Sequence, residues 1–135
     1  MVFFIATQCP KGFTQHKGRC YLYEHQYRKT WYDAMRDCMS HAEGGLHFNL
    51  VSVHNDEEDK FITNMISEEV PNIGVPDVTD PRLPWIGLHE DPGKSGKSWN
   101  ASTSNWVDGS PVVYQNWANN EPNAGVSVYI FKDFI

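Results

Sequence analysis

Glu121 and Asn123 stand on either side of Pro122 in the stretch NEPN. A carboxylate and an amide oxygen this close form the opening half of an oxygen-rich site for a hard cation, which takes roughly six to eight oxygen ligands. The residues that follow, AGVSVYIFKDFI, add little to complete it, because their one acid is Asp133. Taken alone, a Glu-Pro-Asn triplet also reads as an ordinary turn. Catalytic groupings are absent from the pattern. His16, His25, His41, His47, His54 and His89 are scattered with no HExxH spacing, and the run His41, His47, His54 matches no familiar zinc pattern. No Ser or Cys sits in a nucleophile motif. The expectation is a binding protein, not an enzyme.

The cysteines carry the next chemistry. There are three, Cys9, Cys20 and Cys38, so at least one stays unpaired within the chain. Cys9 and Cys20 flank PKGFTQHKGR, whose Pro10, Gly12 and Gly18 suit a disulfide closing a local hairpin. The alternative is three free thiols in a reducing compartment. The sequon Asn100-Ala101-Ser102 leans toward a secreted glycoprotein.

The elements that must hold these residues follow from periodicity. At 135 residues the chain is the size of one domain, and 40% apolar and 13% aromatic residues suit a packed core. A net charge of −6 without Lys/Arg clusters argues against nucleic acid. No run is long enough to span a membrane. Residues 1–8, MVFFIATQ, read as an N-terminal stub, either the remnant of a signal or a first strand. Tyr21, Leu22 and Tyr23 read as a short strand. Trp31, Ala34, Met35 and Cys38 then recur at helical spacing behind Thr30 as N-cap and Asp33 at N3, a face that buries Cys38 against the core. Residues 49–53, NLVSV, alternate as a strand. A second helix begins after Asn55. Asp56, Glu57 and Glu58 supply negative charge at its start, Phe61, Ile62, Met65 and Ile66 form its stripe, and Pro71 ends it. WIGL at 85–88 reads as a buried strand, and Trp99, Trp106, Tyr114 and Trp117 mark short strands between long connections. The order predicts an α+β domain with two helices beside a small sheet.

With these features in order, the chain resembles the C-type lectin-like domain family. CPKGF with Cys9 and Cys20 is similar to the N-terminal hairpin of the family's long form, and Cys38 lies late in the first helix as it does there. WIGL is one hallmark, and WVDGSPVVYQNW at 106–117 running into EPN at 121–123 is another, close to the versions in mannose-receptor-like tandem lectins. The match runs from Cys9 to near Asn123 within a domain of residues 9–135. It implies two helices flanking small, mostly antiparallel sheets with a long irregular loop region.

For function, the resemblance implies calcium-dependent binding of mannose, glucose, N-acetylglucosamine or fucose. Glu121 and Asn123 are then both metal and carbohydrate ligands, Pro122 in cis turns them onto one ion, and Trp117, Cys9, Cys20 and Cys38 are structural. The implied partners are mannose-type glycans or glycoproteins outside the cell. Against the family's pattern the chain is C-terminally incomplete. It lacks a Glu shortly after EPN, an Asn-Asp pair behind a Trp, the final core strand and two cysteines, one of them the partner of Cys38. Glu90 lies near an auxiliary calcium position, but Ala124 stands where a second acid belongs. Residues 126–135 alternate partly, as a pairing strand or an aggregation-prone segment would. These departures leave a second expectation open, a calcium-independent lectin-like module that binds protein.

Overall fold

A computed structural model describes residues 8–24, 29–69, 84–90 and 104–117. Among these residues, two antiparallel strand pairs and two helices make an α+β arrangement. Strands β1 (Thr14–His16) and β2 (Arg19–Tyr21) pair with Gln15 opposite Cys20. Between them Lys17 and Gly18 both take positive φ, which the tight turn requires. The Cys9–Cys20 disulfide closes this hairpin from outside, with Cα atoms 5.5 Å apart. The strand expected at 21–23 therefore ends at Tyr21. Its pairing partner lies upstream, so the ladder closes two residues earlier than apolar content suggests.

Helix α1 (Trp31–Ser40) starts as its sequence predicts: the Thr30 hydroxyl accepts from the Asp33 N–H and donates in turn to the Asp33 carboxylate. Its apolar face is only half-buried, and no residue of α1 is fully buried. Cys38 is accordingly half-buried and unpaired, not sealed in the core. Burial still pushes its thiol pKa up, with Asp37 adding to the effect. Two indoles fasten the helix start instead. Trp31 Nε1 donates to the Ile86 carbonyl, and Trp85 Nε1 donates to the Lys29 carbonyl, both at 2.8 Å.

Helix α2 (Asp56–Glu69) begins at the Asn55 cap, whose Oδ1 accepts from the Glu58 N–H at 2.9 Å. Its stripe reaches the core as expected. Ile62 and Ile66 are buried, with Phe61 and Met65 packed at the margin. Tyr21, Val53, Ile86, Leu88 and Trp106 complete that cluster.

Strands β3 (Leu88–Glu90) and β4 (Ser104–Trp106) form the second pair, with Leu88 opposite Trp106. WIGL thus begins as an extended approach and becomes a strand only at its last residue. Residues 49–53 are not a strand. Leu50, Ser52 and Val53 are all buried, so both faces of the segment are covered. Among the described residues the Val51 carbonyl accepts one bond, from the Gly87 N–H, and one bond does not make a ladder. Pro71, Trp99, Asn100 and residues 1–7 of the stub expected at 1–8 lie outside the described residues.

Candidate functional site: the segment that leads into NEPN

The chain approaches NEPN through residues 104–117, and each part of that run is tied to the body. Trp106 is buried as the last residue of β4. The Val107 N–H continues the contact by donating to the Gly87 carbonyl at 2.8 Å. A tight turn follows, with Gly109 at positive φ and its N–H on the Trp106 carbonyl. Asp108 holds the turn, because its carboxylate accepts from the Ser110 N–H and hydroxyl and from the Ser52 hydroxyl. Burial alone raises the Asp108 pKa, but these hydrogen bonds outweigh it and hold the carboxyl below its usual value.

From this turn a chain of polar groups crosses to α2. His54 Nε2 lies 2.9 Å from the Ser110 hydroxyl, and Nδ1 lies 3.0 Å from Glu58 Oε2. Glu58 also accepts from the His54 N–H at 2.8 Å, from the Tyr21 hydroxyl at 2.9 Å and from Arg19 at 3.0 Å. Buried charges persist where they are paired in this way. Ser110, His54 and Glu58 follow the order of a nucleophile, a base and its orienting acid. The resemblance stops at the proton. Ser110 donates its single hydroxyl hydrogen to Asp108 at 2.5 Å, so the hydroxyl is engaged in holding a turn.

Residues 112–117 then run extended past α2, with Val112, Tyr114 and Asn116 half-buried and Val113 and Gln115 exposed. This period of two brings Tyr114 and Asn116 to one side. Both reach the same oxygen of Asp59. The Tyr114 hydroxyl and Asn116 Nδ2 each donate to Asp59 Oδ2 at 2.7 Å, and the Thr63 hydroxyl approaches Oδ1 at 3.5 Å. Asp59 is 0% exposed. Trp117 packs against the core cluster, and its indole N–H points to Gln115.

Of the residues the sequence singles out, the structure joins Cys9 to Cys20, leaves Cys38 unpaired among the described residues, and seats Trp117 on the core. Glu121, Pro122 and Asn123 lie outside the described residues, as does Ala124. Among the described residues no group of three or more His, Cys, Asp or Glu could hold a metal ion. Sequence reasoning missed Glu58 and Asp59 as anchors. It read Glu58 as helix-start charge. The available signal was spacing: Glu58 and Asp59 sit four and three residues before Ile62, on the stripe that faces the core.

Comparison with known proteins agrees with this architecture. The sequence pattern of the lectin C-type domain matches residues 27–133. The chain belongs to the C-type lectin domain family. A snaclec from Gloydius halys, named as a coagulation factor IX/factor X-binding protein, is 36% identical over 84% of this chain and 64% of its own length. This chain thus spans under two thirds of that relative. The crystal structure of the C-type lectin CEL-I from Cucumaria echinata matches with a TM-score of 0.62 and 28% identity, over 86% of this chain and 73% of that one. The cow C-type carbohydrate-recognition domain of CD23, determined in the presence of GlcNAc2Man3 oligosaccharide, matches with a TM-score of 0.60 and 29% identity, over 86% and 70%. The C-type lectins and snaclecs related to this chain are non-catalytic binding proteins, which settles the expectation that it is not an enzyme.

Proposed function

We propose that this domain binds mannose-type glycans reversibly through a calcium ion held by Glu121 and Asn123. The observation that carries the reading is the run WVDGSPVVYQNW, which is fastened to the core and leads in sequence, after Ala118 and Asn119, into NEPN in a chain of the C-type lectin family. Bound calcium supplies open coordination positions for two neighbouring sugar hydroxyls. The residues decide the rest. Glu121 and Asn123 are hard oxygen donors of the type calcium takes. The Glu121 carboxylate accepts a hydrogen bond from one hydroxyl, and the Asn123 amide donates to the other. The pair thereby sets a direction that a mannose-type hydroxyl pair satisfies. Two side chains fall short of a full set, so Asp133, waters and the sugar itself are the supplementary ligands. The Cys9–Cys20 disulfide supports an extracellular setting, with residues 9–135 as one domain.

Retention on immobilised mannose in calcium tests this, with elution by a chelator and galactose resin as control. Chelator-reversible retention on mannose alone is the expected result. The double substitution Glu121→Gln and Asn123→Asp then shifts retention toward galactose. A folded chain that passes through both resins sinks the reading. A second reading, a calcium-independent module that binds protein, then takes its place. It is favoured by the likeness to a relative named for binding coagulation factors IX and X.

A further inference from the structure

We propose that Asp59 is a positioning residue for the Glu121 and Asn123 pair, acting by locking residues 114–116 onto α2. The inference rests on the sugar-binding reading above. A carboxylate at 0% exposure is costly to bury unless it collects hydrogen bonds. Asp59 collects two at 2.7 Å, and both come from the segment that leads into NEPN rather than from its own helix. Its contact within α2, to Thr63, is long at 3.5 Å. The carboxylate therefore serves as a link between elements. Tyr114 and Asn116 flank the exposed Gln115, so the two bonds fix both the register and the facing of the run. A one-residue slip would turn Gln115 toward Asp59 and both donors away.

The distance along the chain makes this matter for binding. Five residues from Asn116 to Glu121 span at most about 18 Å. An end fixed at Asn116 confines the volume in which the ligand pair can meet an ion. An end released from Asp59 must regain that confinement when calcium and sugar bind, and affinity falls accordingly.

Asp59→Asn keeps the shape and one acceptor but removes the charge, and Tyr114→Phe removes one donor while keeping the ring. Two readouts are needed. Hydrogen exchange across residues 112–117 reports the lock, and titration with calcium and methyl mannoside reports positioning. The expected result for Asp59→Asn is faster exchange in that segment with the middle of α2 protected as before. Mannoside affinity falls roughly tenfold, on the order of the cost of re-ordering one or two side chains on binding. Tyr114→Phe moves both readouts the same way by less, and the double variant loses less than the sum. Ile62→Val, with a comparable loss of Tm, leaves affinity unchanged. Unaltered exchange in both Asp59→Asn and Tyr114→Phe overturns the lock, because one amide oxygen can still accept from both donors while the phenyl ring can donate nothing. Altered exchange with mannoside affinity within about twofold of wild type overturns positioning alone. A wild-type chain that binds no mannoside in calcium overturns the positioning role together with the sugar-binding reading, and the exchange data then say whether the lock itself exists.

Discussion

At Gly87 three stretches of backbone meet without room for a side chain. A Cβ there would sit 2.6 Å from Val107 Cγ2, 2.7 Å from the Leu50 carbonyl oxygen and 3.2 Å from its carbon. The same residue donates to Val51 and accepts from Val107, so the neighbours cannot retreat without breaking those bonds. Glycine is needed for space, not for an unusual φ. Gly87→Ala should cost about 2 kcal/mol through overpacking, seen as a fall in Tm of roughly 8 °C in a chain of this size. The WIGL motif thus has a physical reason for its third letter. Ile86 and Leu88 fill the core on either side, and the glycine between them lets residues 50–51 and 107 close in.

The elements divide by how local their causes are. Helix α2 starts where it does because Asn55 accepts from Glu58, and Asn55→Ala should lose about 1 kcal/mol. Thermal unfolding should show this as a drop of roughly 4 °C. Such caps and stripes are written in a few adjacent residues, so both helices could be read in advance, as could the Cys9–Cys20 hairpin with its Gly18 turn. Strand limits could not. Residues 49–53 alternate correctly for extended backbone, but a strand also needs a partner, and their contact with Gly87 is set by chain far downstream. Tyr21 ends its strand for the same reason. The site was half legible. Trp117 and the cysteine pair follow from motif and spacing. Glu58 and Asp59 stayed hidden because acids at a helix start already have a sufficient local explanation. Only the fold shows that Tyr21 and Arg19 reach one, and Tyr114 and Asn116 the other.

Over the whole molecule, hydrogen-bonded groups with shifted pKa values set how stability depends on pH, and Glu58 takes part at both ends. Burial alone would raise the Glu58 pKa, but hydrogen bonds from the His54 N–H, Tyr21 and the His54 ring outweigh it, and the pKa sits below its ordinary value of 4.5. Asp108 is likewise held below 3.8. A depressed folded pKa contributes stability that is complete above the ordinary value and lost as pH falls through the folded one. Tyr21 works at the other end. Burial first, then its hydrogen bond to Glu58, pushes its pKa up from 10.0 to about 12. That contribution is complete below pH 10 and lost as pH rises toward 12. Tm should therefore hold on a plateau between these limits and fall on both sides. Glu58→Gln should lower the plateau and soften the acid limb, because the unfolded chain no longer takes up that proton. It should also bring the Tyr21 pKa back toward its ordinary 10.0, which ultraviolet titration of the phenolate reads directly. Tyr21→Phe should remove its share of the alkaline fall and leave most of the acid limb in place, since the His54 N–H and Arg19 still hold Glu58 ionised. An alkaline limb unchanged in both variants would show that Tyr21 and Glu58 do not share a proton-linked contact in the folded chain.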